Sequence, residues 1–470
     1  MFLKILKVVN TYFRRYIVGM LILLPVLGWS QDEDVKMIRN IYDEALKNGK
    51  AYGWLDHLCK HYPSRIGGSD IYVRAANHMK DVVNEIPSVS GILQDCETEY
   101  WYRGSKEEAY IVAPSGKNVP IQVLALGGSI ATPEKGITAQ VIEVQTLEEV
   151  EKLGRSNIEG KIVFFNRPMD ATKIRTFHAY GGAVDQRVHG PSKAAEYGAV
   201  ACIVRSMTTL TDEYPHTGVT VYKNKDTQIP ALAVSTLDAN RISDYLKTGS
   251  VTAYVKTDCQ SLGMRYAPSV IGEIKGSEFP DEIILVGGHL DSWDVCEGAH
   301  DDGAGCVQSV EVLRILTSIG YRPKRTLRCV LFSNEENGSA GGRTYADVSN
   351  ANNEFHMAAI ESDAGGFTPR GFRFEADTSV FKKYYKKVNE WLPLLESYDL
   401  QFYTGGSGAD VSHLRSQKGL LIGLAPDSQR YFDIHHSAKD GIENVNQREL
   451  ELGAAAMASL VYLLDNYGIK

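Results

Sequence analysis

Three apolar segments of strand length run directly into residues whose side chains bind metal ions. They span residues 283–286, 327–332 and 357–360. Helical patterns follow the first two, at 304–319 and 340–348. Strands separated by helices predict a parallel sheet that is covered by helices on both faces. The sequence therefore predicts an α/β fold with a mostly parallel central sheet.

The residues at these three strand ends are candidate metal ligands. His289 and Asp291 follow the first strand, Glu335 and Glu336 follow the second, and Asp363 follows the third. In open α/β sheets, ligand sites form at the carboxyl ends of the strands, so these side chains are expected to lie close together. Asp291 lies two residues after His289, on the same face of an extended segment, and is expected to orient the imidazole.

Two further segments can complete a metal site. Asp301 lies in the glycine-containing run HDDGAG, and Asp302 beside it can cap the helix that follows. A later loop brings His435 and His436. Histidine and carboxylate ligands without thiolates are typical of catalytic zinc, which usually keeps three protein ligands. Five ligands therefore favour two zinc ions about 3.5–4 Å apart, bridged by one carboxylate.

Taken together, these motifs resemble the co-catalytic zinc exopeptidase family, which includes glutamate carboxypeptidases and leucyl aminopeptidases. The matching stretches are PSRIGGS (63–69), GGHLDSWD (287–294), DDGAG (301–305), NEENG (334–338), ESDAG (361–365) and HHSAKD (435–440). Carried over position by position, the resemblance implies two Zn2+ ions per chain, with Asp301 as the bridge, held by His289, Asp301, Glu336, Asp363 and His436. It favours His436 over His435, because Ser437 and Asp440 follow as in the family motif. It also implies Glu335 as the general base.

The resemblance implies an exopeptidase that hydrolyses dipeptides or short peptides by attack of a metal-bound water. An aminopeptidase of the same family is one alternative, because its ligands are the same. A non-catalytic binding protein on the same scaffold is another, although here no ligand position is vacant. A two-metal phosphoesterase would need Arg or Lys to clamp phosphate. Neither occurs in the ligand loops 287–292, 300–305, 333–338, 361–366 and 431–437, although residues distant in the sequence can supply one. The loop 405–410 (GGSGAD) is the candidate for lining the substrate pocket.

Residues 115–265 are predicted to form a separate domain inserted into the first. They alternate short strands with short helices and have no cluster of metal-ligand types at strand ends. The run 194–201 (AAEYGAVA) is similar to the protease-associated domain of the same family, a smaller α/β or β-rich domain. The catalytic domain is then divided between 31–114 and 266–470. The resemblance implies that the insert shapes access to the site or a homodimer interface.

The first 30 residues predict export from the cytoplasm. Basic residues between positions 4 and 15 precede an apolar run at 16–29, and polar residues follow. This order is typical of a secretory signal peptide at 1–30, and the run is shorter than the roughly 20 residues of a membrane-spanning helix. The mature protein is expected to be secreted or periplasmic, without a stable membrane span. A net charge of -8 without a long basic run argues against nucleic acid, so small peptides are the expected partners.

Overall fold

The structure is a computed structural model that describes residues 32–469. The predicted signal peptide at 1–30 lies outside the described residues. The strands are β1 (Ser90–Gln94), β2 (Glu97–Tyr102), β3 (Glu107–Val112), β4 (Asn118–Pro120), β5 (Val123–Ala125), β6 (Ile137–Val144), β7 (Ile162–Phe165), β8 (Ala201–Arg205), β9 (Ala231–Val234), β10 (Thr252–Thr257), β11 (Gln260–Tyr266), β12 (Ser269–Ile274), β13 (Phe279–His289), β14 (Arg325–Phe332), β15 (Phe355–Glu361), β16 (Pro369–Glu375), β17 (Gln401–Thr404) and β18 (Leu420–Pro426). The helices are α1 (32–48), α2 (Ala51–His61), α3 (Asp70–Asn84), α4 (Leu147–Leu153), α5 (Arg155–Ile158), α6 (Thr176–Gly181), α7 (Asp185–Val188), α8 (Gly190–Glu196), α9 (Thr236–Thr248), α10 (Ala304–Ser318), α11 (Ala340–Ala351), α12 (Phe381–Asn389), α13 (Leu392–Leu395) and α14 (Gln447–Tyr467).

The central sheet has eight strands in the order β1-β12-β14-β13-β15-β18-β16-β17. Its middle strands β14, β13, β15 and β18 run parallel to one another. On one side β12 joins β14 antiparallel and β1 joins β12 antiparallel, and on the other β16 joins β18 antiparallel. The predicted α/β fold is confirmed, and the three apolar segments lie in the middle strands β13, β14 and β15.

Alternate residues of each strand point to opposite faces of this sheet, and helices cover the apolar side chains on both faces. Ile284 and Val286 of β13 pack with apolar residues of α10 and α14, whereas Leu285 packs with Tyr345 of α11. α14 is buried along most of its length. Side chains can therefore reach a ligand mainly where the strands end.

A second eight-stranded sheet has the order β4-β3-β10-β6-β7-β8-β9-β5, and all of its strands lie between residues 107 and 257. β7 and β8 are buried at every position, so this sheet has its own core. β2 and β11 pair as a two-stranded ribbon where the chain passes between the sheets. The second sheet begins with β3, before the predicted boundary at 115, because Val112 pairs with the distant Thr252, which a local pattern does not reveal. The predicted division into domains otherwise stays a prediction.

The end of β13 and the start of α10 approach each other closely at Gly288. The carboxylate of Asp302 accepts hydrogen bonds from the backbone N–H groups of His289 (3.1 Å) and Gly305 (3.0 Å). The second bond satisfies a backbone N–H in the first turn of α10, although Gly303 rather than Asp302 occupies the N-cap position. A Cβ added at Gly288 would overlap the Asp302 carboxylate and crowd the backbone of Gly305. Glycine is therefore required where the strand end meets the helix start.

Gly288→Ala is expected to lower the free energy of unfolding by about 1–3 kcal/mol, because the added methyl group displaces Asp302. Gly53→Ala is the control, since no atom lies within 4 Å of a Cβ added at Gly53 in α2. Alanine there is expected to raise stability by up to about 1 kcal/mol. Chemical denaturation of the zinc-loaded chain measures both changes. Equal stability of the Gly288 variant and the wild type would contradict the close packing.

Candidate metal centre

The carboxyl ends of β13, β14 and β15 bring three predicted ligands together. His289 is the last residue of β13, Glu336 follows β14, and Asp363 follows β15. Asp301 reaches the same place from the irregular segment just before α10, and His436 reaches it from the loop before α14. These side chains are buried, except that of Asp363, which is half-buried.

The two carboxylate oxygens of Asp301 face different histidines. Oδ1 lies 3.3 Å from His289 Nε2, and that nitrogen lies 3.6 Å from Asp363 Oδ1. Oδ2 lies 3.3 Å from His436 Nε2, and that nitrogen lies 3.0 Å from Glu336 Oε2. The centre therefore has two halves that share Asp301.

The spacing and burial of these atoms fit bound metal ions. Ligand atoms at about 2.0–2.1 Å from a tetrahedral zinc lie about 3.3–3.4 Å from one another. The separations here run from 3.0 to 3.6 Å. Asp301 Oδ2 and Glu336 Oε1 are buried without a hydrogen-bond donor among residues 32–469. Buried acceptors of this kind cost free energy unless a donor or a cation satisfies them.

Negative charge dominates the centre. Burial lowers the pKa of His289, but the surrounding carboxylates, with Asp291 first among them, raise it well above its ordinary value. Burial also lowers the pKa of His436, whereas Glu336 and Asp301 raise it to about 10. Both imidazoles therefore lie in a field that stabilises a cation next to the ring nitrogens.

His300 and His435 lie close to the centre without being among the predicted ligands. Both ring nitrogens of His300 are engaged, because Nδ1 accepts a backbone N–H (3.1 Å) and Nε2 bonds the carbonyl of Asn444 (3.1 Å). His435 stacks on His436 with ring centroids 3.5 Å apart, and its Nε2 lies 3.6 Å from Asp301 Oδ2. Distance alone therefore leaves His435 within reach of a metal ion.

The loop between β8 and β9 of the second sheet holds the imidazole of His436. His436 Nδ1 lies 3.2 Å from the carbonyl of Thr217, and the Thr217 N–H donates to the carbonyl of His436 (2.9 Å). His216 Nδ1 lies 2.6 Å from the carbonyl of His435. A metal-binding histidine commonly donates its other N–H to such a carbonyl, which fixes the ring and its tautomer. This contact favours His436 over His435, and no pattern in the sequence indicates it.

Three buried carboxylates each hold two successive backbone amides around the centre. Asp291 accepts from the N–H groups of Glu335 (3.0 Å) and Glu336 (3.3 Å). Asp440 accepts from those of His300 (2.8 Å) and Asp301 (3.1 Å). Glu361 accepts from those of Asp410 (3.4 Å) and Val411 (2.8 Å). The sequence shows Asp440 only as part of the HHSAKD motif and Glu361 only as part of ESDAG, and neither motif indicates these bonds. Each carboxylate fixes the path of a loop that enters the centre.

Asp291 orients the imidazole of His289, but through its backbone. The Asp291 carbonyl lies 3.1 Å from His289 Nδ1, whereas its carboxylate Oδ1 lies 3.7 Å from that nitrogen. The carboxylate is already bonded to the N–H groups of Glu335 and Glu336. Those amides follow the end of β14, where no neighbouring strand accepts them. The side chain of Asp291 therefore satisfies these two N–H groups, while its backbone carbonyl contacts His289.

Arg65 is a buried cation to which the sequence analysis gave no role. It is fully buried in the connection between α2 and α3. Its guanidinium donates to the carbonyls of Leu290 (2.6 Å), Glu297 (2.5 Å) and Gly298 (2.8 Å). These carbonyls belong to the loop that joins the first two ligands in the sequence. The only signal in the sequence was the motif PSRIGGS at 63–69.

Comparisons of the sequence and of the structure both find peptidases that are similar to this chain. Residues 269–461 match the sequence pattern of Peptidase family M28. The chain is 32% identical over 431 residues to carboxypeptidase Q of Bos taurus, which covers 91% of this chain and 88% of that protein. A peptidase M28 precursor from Shewanella amazonensis SB2B has a similar structure, with a TM-score of 0.87 and 30% identity over 94% of this chain and 98% of that one. A zinc aminopeptidase from Bacillus subtilis shares the fold, with a TM-score of 0.61 and 18% identity over 88% of this chain and 94% of that one.

Arg65→Met is expected to lower the zinc content and to reduce the free energy of unfolding by about 3 kcal/mol, since three buried carbonyls lose a charged donor. Elemental analysis and chemical denaturation measure the two effects. Arg155→Gln is the control, because Arg155 is exposed and paired with Glu159 at 3.3 Å. A full zinc content in the Arg65 variant would show that Arg65 supports the fold but not the metal centre.

Proposed function

The chain belongs to peptidase family M28 and is a metallo-exopeptidase, and on that premise we propose that it hydrolyses dipeptides or short peptides with two bound zinc ions. One observation carries the proposal. The carboxylate of Asp301 lies between two imidazoles, with Oδ1 3.3 Å from His289 Nε2 and Oδ2 3.3 Å from His436 Nε2. A carboxylate shared between two such halves is typical of two-metal hydrolases.

Each half of the centre would hold one ion. His289 and Asp363 belong to one half, His436 and Glu336 belong to the other, and Asp301 is common to both. Bound zinc supplies a Lewis acid that polarises the scissile carbonyl and lowers the pKa of water. Proton transfer remains for the side chains of the protein.

Glu335 is the proposed general base. Its backbone N–H is fixed by the carboxylate of Asp291 at 3.0 Å. Glu335 and Glu336 lie in a turn after β14, where the charge of Glu335 interacts with His289 and Asp363, whereas Glu336 contacts His436. Burial raises the pKa of Glu335 well above its ordinary value, and Asp363 adds to this rise. A carboxylate of raised pKa is a stronger base, which takes a proton from the attacking water and returns it to the leaving amine.

Dipeptides or short peptides with a free C-terminal carboxylate are the proposed substrates. The similarity to carboxypeptidase Q of Bos taurus, at 32% identity over 91% of this chain, supports this choice. An aminopeptidase is the second candidate. It is supported by a probable leucine aminopeptidase 2 of Aspergillus oryzae that is 24% identical over 71% of this chain.

We also propose that the protein acts after export, as a secreted or periplasmic enzyme. The signal peptide predicted at 1–30 supports this location. Within residues 32–469, no helix combines the length and the apolar character that crossing a membrane requires. Residues 115–265 are proposed to be a protease-associated domain that shapes access to the site or a homodimer interface. Amino-terminal sequencing of the exported protein tests the location, with a start near residue 31 as the expected result.

Glu335→Gln is expected to keep two zinc ions per chain while kcat falls by about 10²–10⁴, the usual contribution of general acid–base catalysis. Glu336→Gln is the matched variant, and it is expected to lose zinc because it removes a ligand. Elemental analysis and peptide hydrolysis measure both. Loss of zinc from the Glu335 variant alone would reverse the two assignments. A wild-type chain that is fully active with one zinc would contradict the two-metal proposal.

A panel of dipeptides with each terminus blocked in turn is expected to separate the two exopeptidase types. Acetylation of the amino terminus should be tolerated by a carboxypeptidase, whereas amidation of the carboxyl terminus should abolish hydrolysis. Release of free amino acids is measured for each peptide. The reverse pattern would favour the aminopeptidase. A peptide that must be free at both ends would indicate a strict dipeptidase.

A further inference from the structure

A cleft of about 660 Å³ lies between the second sheet and the central sheet. One wall is formed by the segment from Ile174 to His178, and the other by Tyr403, Gly406 and the segment that follows β18. The metal ligands do not line this cleft. Its most unusual feature is its charge.

Two arginines face this cleft without a carboxylate partner. Within residues 32–469, neither Arg175 nor Arg373 takes part in an ion pair or a side-chain hydrogen bond, although both line the cleft. Arg370, which also lines it, is paired with Asp427 at 3.3 Å. The chain as a whole carries a net charge of -8. Two unpaired guanidinium groups in one cleft of an acidic protein are therefore a local excess of positive charge.

Each arginine lies over an aromatic ring from the opposite wall. The Cζ of Arg175 is 5.4 Å from the ring centroid of Tyr403, and the Cζ of Arg373 is 5.6 Å from that of Phe177. An aromatic face holds a guanidinium in place and leaves its N–H edge free to donate. Burial lowers the pKa of Arg373, and the nearby charge of Arg175 lowers it further. An anion between the two groups would relieve that repulsion.

Hydrogen bonds join the two walls of the cleft. Thr176 Oγ1 donates to the carbonyl of Ser428 at 2.8 Å and also lies 2.8 Å from its hydroxyl. Gln429 Nε2 donates to the carbonyl of Ile174 at 2.8 Å. These bonds fix the distance between the two walls that carry the guanidinium groups, and clefts of defined shape are typical of small-molecule sites.

The cleft shares a wall with the metal centre. The ring of Phe177 lies 5.4 Å from that of Tyr431, and Tyr431 lies 5.1 Å from the ring of His435. On the other side, Gly406 belongs to the loop that ends at Asp410, whose N–H is held by the carboxylate of Glu361 that closes β15. A ligand in the cleft therefore lies next to the elements that carry the metal ligands.

We propose that this cleft binds a carboxylate of the peptide substrate between Arg175 and Arg373. Guanidinium groups recognise carboxylates through paired N–H donors, which add both energy and orientation. The carboxylate can belong to the C-terminus or to an acidic side chain, and the chemistry is the same for both. This proposal rests on the proposed peptidase function, because it names the substrate group that the cleft selects.

The test compares four tripeptides with the zinc-loaded full chain: Leu-Ala-Glu, Leu-Ala-Gln and the C-terminal amide of each. Arg175→Gln and Arg373→Gln are expected to raise KM about tenfold for the peptide with the recognised carboxylate, the effect of losing a charged hydrogen bond. The kcat should stay unchanged. For peptides that lack that carboxylate, KM should stay unchanged too, and for amides that are not cleaved the Kd from calorimetric titration replaces KM. Arg155→Gln, on the second sheet's side but outside the cleft, should behave as the wild type. Melting temperature and zinc content check that each variant is folded, and Arg175 is exposed enough to be replaced without harm to the core.

The four peptides separate the sources of the carboxylate. If amidation removes the arginine dependence, the cleft binds the C-terminus, and if the exchange of Glu for Gln removes it, the cleft binds the side chain. Arginine variants that match the wild type on all four peptides would overturn the cleft proposal while leaving the peptidase intact. A wild-type chain that cleaves none of them is judged by binding instead. Calorimetric titration with Leu-Ala-Glu then shows whether both arginine variants bind more weakly, and equal affinity would overturn the proposal.

Discussion

Loops that follow the strands of a parallel sheet carry backbone N–H groups that no neighbouring strand accepts, and around this candidate metal centre buried carboxylates accept such groups in pairs. Asp291 holds the amides of Glu335 and Glu336, and Asp440 holds those of His300 and Asp301. Hydrogen bonds to a charged acceptor are roughly twice as strong as neutral ones. A shift of either loop would leave a buried carboxylate without donors. These hydrogen bonds fix the loops that carry candidate ligands.

Arg65 also fixes a loop of the centre, but as a hydrogen-bond donor to backbone carbonyls. The carboxylates bind N–H groups of the loops, whereas the guanidinium of Arg65 binds three carbonyls of the loop between His289 and Asp301. The centre is thus surrounded by charged side chains that form hydrogen bonds with backbone N–H and carbonyl groups. Asp301 and Glu336, two of the candidate ligands, differ, because each keeps a buried oxygen without a donor among residues 32–469.

The sequence predicts which candidate ligands meet in the structure, because each one follows a local pattern. His289, Glu336 and Asp363 follow apolar strands, and the parallel arrangement of those strands brings their ends to one edge of the sheet. The contact of Thr217 with the imidazole of His436 could not be predicted, because it is made by a backbone carbonyl that every residue carries. The early start of the second sheet at β3 was missed for a related reason, since the strand that pairs with it is distant in the sequence.

The pairing of β1 with β12 also constrains the order in which the chain folds. Ser90 of β1 lies opposite Glu273 of β12, and the whole second sheet lies between them in the sequence. The entropy lost on closing a loop rises with its length, and contacts between distant residues slow folding. The second sheet draws its strands only from residues 107–257, so it can close while β12 is still being synthesised. The candidate ligands, from His289 to His436, all follow the second sheet in the sequence, so the metal centre can be completed only after that whole sheet has emerged.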